Sequence, residues 1–514
     1  MSVIKEDVEK AEHAIQRAGS PTDIEKADIQ REDYDHSSEP IAAHTAQLDD
    51  PHHVLSFAPD DPDNPRNWPT YKRYYIASFA SLLNVLVCLC ASGYSSGGSE
   101  MGAELGMGSE VVTVGLSLYV LGFALGPMVL APLSEYYGRN PVYITTWTLF
   151  TIFQIPLALA QNTPTVLICR FLQGTFGSAP LTNTGGTVSD VFARDECGYA
   201  MAIYGLSSAA GPPFALVISG WIVLQMGWRW LFWVYLIVFG GIGIIMVLTL
   251  PETRHDIILA RRAKKLGAYH PHQDRKLREL FGVTLTRPVR FLFTEPITFF
   301  SAIYNGFLFG VVFLFNEALP IVFADGHGFN VGEWGLTFLG FVLGSLIAAL
   351  CYPIQEQHYL RKVKEAGGKS VPEERIWSSL LGTFLLPIGL FWFAWTSYPS
   401  VPWIIPIFAA GCFGAGLFII ILGILNYVVD AYQTYAASAL AGVILVRNVV
   451  GAGFPLFAAQ MYEGMGPRWA TSLLGFLSLG MCCIPFLFYF WGRGIRKASP
   501  WAREHFDGVG DATH

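Results

Sequence analysis

Apolar runs dominate the chain and set its pattern. A hydrocarbon layer of about 30 Å takes about 20 helical residues to cross. Runs of about that length recur at 74–95, 110–131, 142–160, 165–188, 199–223 and 230–250. After a polar stretch of about 45 residues a second set follows at 297–323, 332–352, 376–396, 402–428, 435–460 and 469–491. The pattern predicts an all-α membrane protein with 12 transmembrane helices in two pseudo-symmetric six-helix halves.

The polar stretches then divide the chain. Residues 1–66 are rich in Asp, Glu, His, Ser and Pro and hold too little apolar surface to offset the entropy of ordering, so they read as a disordered cytoplasmic tail. Residues 67–250 form the N-terminal bundle, 251–296 a cytoplasmic linker, 297–491 the C-terminal bundle and 492–514 a cytoplasmic tail. The charged opening residues do not read as a cleavable signal, so insertion begins with the first span.

Composition agrees: of 514 residues 52% are hydrophobic and 14% charged, and the mean hydropathy is +0.40, outside the balance of soluble domains. The net charge of -7 misleads unless it is resolved by position, because the acids crowd the first tail. Lys and Arg are retained on the cytoplasmic side of membranes. Bases crowd 251–296 and also 353–375, with Arg361, Lys362, Lys364 and Lys369. Loops near 96–109, 161–164, 324–331 and 397–401 have none, which makes them external and leaves both termini inside; Arg229 and Arg468 are lone external bases. Seven of the eight cysteines fall in apolar runs without metal-ligand spacing and read as packing residues.

Charge in one short turn needs a reason. Gly126–Pro141, GPMVLAPLSEYYGRNP, sets Glu135 and Arg139 between two apolar runs. This Pro-x-x-Glu-x-x-Gly-Arg turn resembles the loop between helices 2 and 3 of the major facilitator superfamily. The segment Ala131–Arg139 looks most like the fungal drug:proton antiporters with twelve spans. The usual second base is Asn140 here, which removes one charge. Pro251-Glu252-Thr253-Arg254 is similar to the sequence that closes the first half in that family, and the Asn-Pro-x-Asn-Trp segment ending at Trp68 to the one before its first span. The resemblance implies the major facilitator fold. It also implies a conformational latch of Glu135, Gly138, Arg139 and Asp190, which ties helix 2 to helices 4 and 11 near Tyr435; a topogenic turn is the alternative. Val120-Leu121-Gly122 before Pro132 recurs as Val342-Leu343-Gly344 before Pro353, a weak internal repeat whose second copy has lost the Glu and Gly-Arg turn.

Within the spans, Gly211, Pro212 and Gly220 stand where the antiporter branch carries its Gly-Pro signature, but the usual second Gly-Pro reads Ala215-Leu216. An ordinary kinked packing helix is the alternative. Arg170, in a segment similar to the family's Arg-x-x-x-Gly element, is a proton-coupling candidate, with an interfacial, outward-reaching side chain as the alternative. Glu317, near the outer end of span 7, is the best proton carrier unless it is interfacial and always ionised, and Arg447 beside Asn448 is a third coupling candidate. Asn84, Gln173, Asn183, Tyr304, Asn305, Trp392, Asn426 and Tyr427 are the substrate-binding candidates of a mostly apolar cavity.

The chain shows no phosphate-binding loop of the Gly-x-x-x-x-Gly-Lys-Ser/Thr type, which argues against an ATP-driven pump, and no paired nucleophile and base or metal cluster. The expectation is a non-enzymatic, cofactor-free secondary transporter that exports small lipophilic or amphipathic molecules against protons. It works as a monomer in the lipid bilayer without nucleic acid, at the plasma membrane or, alternatively, the vacuole. An uptake symporter or uniporter on the same scaffold, and a transport-dead sensor that signals through its acidic tail, are the rivals.

Overall fold

The computed structural model describes residues 56–58, 60–193, 196–266 and 277–502, and among these there is helix, turn and loop but no strand. Nearly all of the expected tail 1–66 and of the segment after 502 lies outside the described residues.

Each apolar run falls on helix to within a few residues. Span 1 is Thr70–Gly93, followed by the short helix Gly98–Leu105, and span 2 is Ser109–Tyr137. Span 3 is broken into Arg139–Ile152 and Gln154–Ala158; spans 4, 5 and 6 are Thr163–Val191, Cys197–Met226 and Trp228–Thr249. Spans 7 to 10 are Pro296–Pro320, Val331–Glu365, Trp377–Thr396 and Ile404–Tyr432. Spans 11 and 12 occupy Ala436–Met481 and Cys483–Ala498, the chain turning at Gly466, where φ is +73°.

By length and apolarity alone, nine helical stretches among the described residues qualify as membrane-crossing. The gap between nine and the twelve sequence runs has local causes. Neither piece of span 3 is long enough alone, span 4 is diluted by Arg170, Asp190 and the polar stretch 182–187, and spans 11 and 12 run on through Gly466.

Contacts between spans repeat with an offset of six. Span 2 packs on span 4 and span 1 on span 5; likewise span 8 packs on span 10 and span 7 on span 11. The halves meet along spans 5 and 8 and, symmetrically, spans 2 and 11. Lipid offers no hydrophobic drive for helices to associate, so these contacts depend on close approach through small residues. A Cβ on Gly122 would stand 2.7 Å from the carbonyl carbon of Gly174, and one on Gly344 would stand 2.6 Å from that of Gly411. Span 6, in contrast, leaves Ile237, Ile244 and Leu248 exposed at the periphery.

One face gathers the basic connectors and both described chain ends. The linker forms two helices, His255–Leu266 and Leu277–Thr294, the second packing on spans 2, 7 and 11. Asp61 pairs with Arg262 of the first linker helix, Asn64 caps the turn Pro65–Asn67, and the Lys72 ammonium lies 3.7 Å from the Trp68 ring centroid. Ser499 donates to Glu295 at 2.6 Å, and Trp501 packs on Phe291 and Tyr435. The two lone bases of the opposite face are held in place: Arg229 pairs with Glu104 at 2.7 Å, and Arg468 lies 3.5 Å from the Trp395 ring centroid.

Candidate functional site

The turn after span 2 depends on Gly138. Its φ of +105° is costly for any side-chain-bearing residue, and a Cβ there would run into the Glu252 carboxylate. That open space lets Glu252 reach the turn, where Oε1 accepts from the Arg139 N–H at 2.9 Å and from the N–H groups of Thr253 and Arg254, both at 3.0 Å. The Arg139 side chain points back under span 4. Nε donates to Asp190 at 3.2 Å, and Nη1 donates to Ser134 at 2.7 Å and to Asn183 at 3.3 Å. Arg254 stands 3.7 Å from the other Asp190 oxygen. Burial pushes the Arg254 guanidinium down, but Asp190, Asp256, Glu135 and Glu252 pull it up further, and the net shift is upward. Burial pushes the neighbouring His255 imidazole below its ordinary range.

Of the four latch candidates, the structure joins Gly138, Arg139 and Asp190. Glu135 lines the central cavity and forms no hydrogen bond or ion pair with a described residue. Glu252 and Arg254 complete the cluster, and sequence reasoning assigned them no role although their motif was legible.

The second half rebuilds this cluster from a different chain path. Arg375, at the start of span 9, donates from Nε to Asp430 at 2.9 Å and from Nη1 to Glu356 at 2.8 Å, with the Tyr359 ring centroid 3.4 Å from its guanidinium. Tyr359 and Tyr352 donate to Asp430 and Glu356, each at 2.8 Å. The expectation that the second copy has lost this feature is therefore corrected. The Gly-Arg turn is absent, but its arginine arrives from the far end of a longer connector. Glu356 stands three residues after Pro353, as Glu135 does after Pro132, and that spacing was the available signal. Unlike Glu135, Glu356 already touches the other half: a Cβ on Gly198, in the first turn of span 5, would strike its carboxylate.

Between the halves lies a cavity of about 2020 Å³, lined by Met128, Thr182, Tyr204, Leu422 and Ile444 in its depth and by Glu135, Arg254 and Arg375 on the connector side. The opposite side is sealed by contacts across the halves. Glu317 accepts from Ser95 and Thr113, both at 3.3 Å, and Asn316 donates to Ser92 at 3.0 Å. Further bonds run from Asn448 to the Phe123 carbonyl at 3.0 Å and from Gln460 to Glu110 at 2.9 Å. Gly220 lets span 5 press on span 8, where a Cβ would stand 3.3 Å from the Gly332 Cα, and Gly211, beside Pro212, brings the same span against Cys88 of span 1.

The binding candidates separate. Asn183 and Asn426 line the cavity, and Asn84 lies just beyond its depth, bonded to Ser207 and Ser208. Gln173 is buried beside Cys90, Tyr304 bonds Thr383 at 2.8 Å, Asn305 bonds its own helix at Ser301, and Tyr427 stacks on Phe488. Trp392 is exposed and does not line the cavity.

The family model described as Major Facilitator Superfamily matches residues 80–455. This chain belongs to the major facilitator superfamily. The facilitator is 38% identical over 464 residues to a multidrug transporter of this superfamily, mdrA, from Aspergillus fumigatus, covering 88% of this chain and 76% of that one. It is 37% identical to Efflux pump FUB11 from Gibberella moniliformis (88% and 78% covered) and 40% identical to a citrinin biosynthesis cluster transporter, mrr1, from Monascus ruber (86% and 90% covered). Among solved structures, the proton:xylose symporter XylE bound to 6-bromo-6-deoxy-D-glucose superposes with a TM-score of 0.61 at 14% identity, covering 82% of the facilitator and 97% of that chain. At that identity the likeness carries the fold alone.

Proposed function

We propose that this facilitator exports small lipophilic or amphipathic molecules in exchange for protons, by alternating access. One observation carries the reading: a cavity of about 2020 Å³ between the halves, open toward the basic connectors and sealed at the other face. The positive-inside rule makes the connector face cytoplasmic, so this is the loading state of an exporter, with both termini inside. The names of the relatives, multidrug transporter and efflux pump, support the direction.

Glu317 is the proton carrier in this reading. It faces two hydroxyls of the other half and has no basic partner among the described residues, so the seal survives with the carboxyl either charged or neutral, and outer opening brings the acid to external water. Glu135 is the waiting half of the latch. When the cytoplasmic side closes, it meets the first turn of span 11 at Ala436–Ser438, where the positive end of the helix dipole attracts a carboxylate. Coupling is then a difference in cargo and proton affinity between the two facing states. The protein acts as a monomer at the plasma membrane, or alternatively the vacuole.

The test is efflux from loaded proteoliposomes under imposed pH gradients of both polarities, with and without a protonophore. Cargo movement driven by a counter-directed proton gradient and lost with the protonophore is expected. Movement with the proton flow identifies the uptake symporter instead. Deleting residues 1–60 tests the sensor: undiminished export leaves that rival without support.

A further inference from the structure

Two arginines, Arg170 and Arg447, are almost wholly buried among the spans. Their surroundings differ. Around Arg170 every nitrogen has an acceptor: Nη1 donates to the Cys90 carbonyl at 2.9 Å, Nη2 to that of Ala91 at 3.0 Å and Nε to that of Gly115 at 3.3 Å. Tyr94 and Tyr119 hold its guanidinium at 4.4 and 4.2 Å from their ring centroids. Each nitrogen of that arginine is engaged, and it braces spans 1, 2 and 4.

Arg447 has one such neighbour, the Phe309 ring at 4.4 Å, and its Nε and Nη2 have no hydrogen-bond partner among the described residues. The titratable groups near enough to act on its charge are Tyr204 and Cys88; no carboxylate is among them. A guanidinium keeps its proton, so this buried cation has no counter-ion among the described residues. The two orphan nitrogens are the pair on one edge of the guanidinium, the edge that a carboxylate bridges with two parallel bonds.

The place suits a ligand head group. Leu440, Ala441, Ile444 and Leu445 line the cavity along span 11, and Arg447, buried and not itself in the cavity wall, follows one turn past Ile444. Tyr204 lines the same depth from span 5. One turn past Tyr204, Ser207 and Ser208 take both Asn84 donor bonds, which leaves Asn84 Oδ1 without a donor. We infer that Arg447 anchors a carboxylate carried by an otherwise apolar cargo, at the deep end of the cavity. The inference rests on the efflux reading and narrows its substrate class to organic acids.

The probes are 1-naphthoate and its neutral isostere 1-naphthamide, offered to the full-length protein. Reconstituted wild type is expected to bind and export naphthoate with at least about tenfold preference over naphthamide, the scale of hydrogen bonds to a charged group. In Arg447→Gln that ratio falls to about one, and in Arg447→Lys, which keeps charge but loses the fork, it falls in between. An absent preference in wild type overturns the inference without recourse to any variant, and so does a preference that persists in Arg447→Gln. Export of naphthamide without naphthoate overturns it while the efflux reading stands. Movement of neither probe overturns both.

Discussion

Gly138 answers to two demands at one position, a backbone at φ +105° and empty space for the Glu252 carboxylate. Gly138→Ala meets both penalties, and the strained backbone alone costs about 1–3 kcal/mol. A lowered thermal midpoint together with lost transport is expected; wild-type values for both would remove the turn from the mechanism. Arg139→Ala takes the partner from a buried acid, a change that costs about 3–5 kcal/mol when nothing compensates. Here Arg254 stays 3.7 Å from Asp190, so abundance at the membrane should be nearly intact while transport is abolished. Normal transport by this variant would eliminate the latch. Glu317→Gln keeps the shape and the hydroxyl contacts but cannot titrate, so export should lose its dependence on external pH; an unchanged pH profile acquits the residue. Legibility varied at this scale. Arg139 and Asp190, 51 residues apart, were joined only by what the family resemblance of the turn implies, and the Glu252 bond to Arg139 spans 113 residues and leaves no trace in spacing. Trp392 and Tyr304 show the converse: an aromatic or polar side chain in a span has no visible direction until its neighbours are known.

At the scale of elements, the spans associate through backbone contact rather than greasy surface. Gly344 on span 8 faces Gly411 on span 10, with no room for a side chain between them. Gly344→Leu should therefore cut the yield of monodisperse protein several-fold, while Gly240→Leu on span 6, where nothing lies within 4 Å of a Cβ, should not. Size-exclusion profiles of the two variants decide, and equal profiles would refute close packing as the organising contact. The existence of each span was legible because crossing a membrane is a property of about 20 consecutive residues. The interruption of span 3 at Phe153 was not, because it is decided by packing.

For the whole molecule, the two clusters form a pair under the six-helix offset, yet they are not in the same condition. Glu356 already contacts span 5 of the opposite half, while Glu135 lines the cavity without a hydrogen bond or ion pair to a described residue. Opening is thus uneven, with spans 2 and 11 parting on the connector side while spans 5 and 8 stay in touch. A cysteine pair at Met128 and Ala441, which line the cavity from spans 2 and 11, should cross-link with a short bifunctional thiol reagent only as that side closes, and should stop transport when it does. Cross-linking at equal rates with and without a driving pH gradient would contradict a moving seam there.

Sequence by itself determined which segments enter the lipid and which loops share a face, because each follows from the local solubility and charge of a short stretch. Tertiary structure alone decided that Arg375 restores the second charge cluster, that every nitrogen of Arg170 finds an acceptor while two of Arg447 do not, and which polar side chains reach the cavity. Pairing, saturation and direction depend on atoms brought together from distant parts of the chain, and hydropathy carries no record of who the neighbours will be.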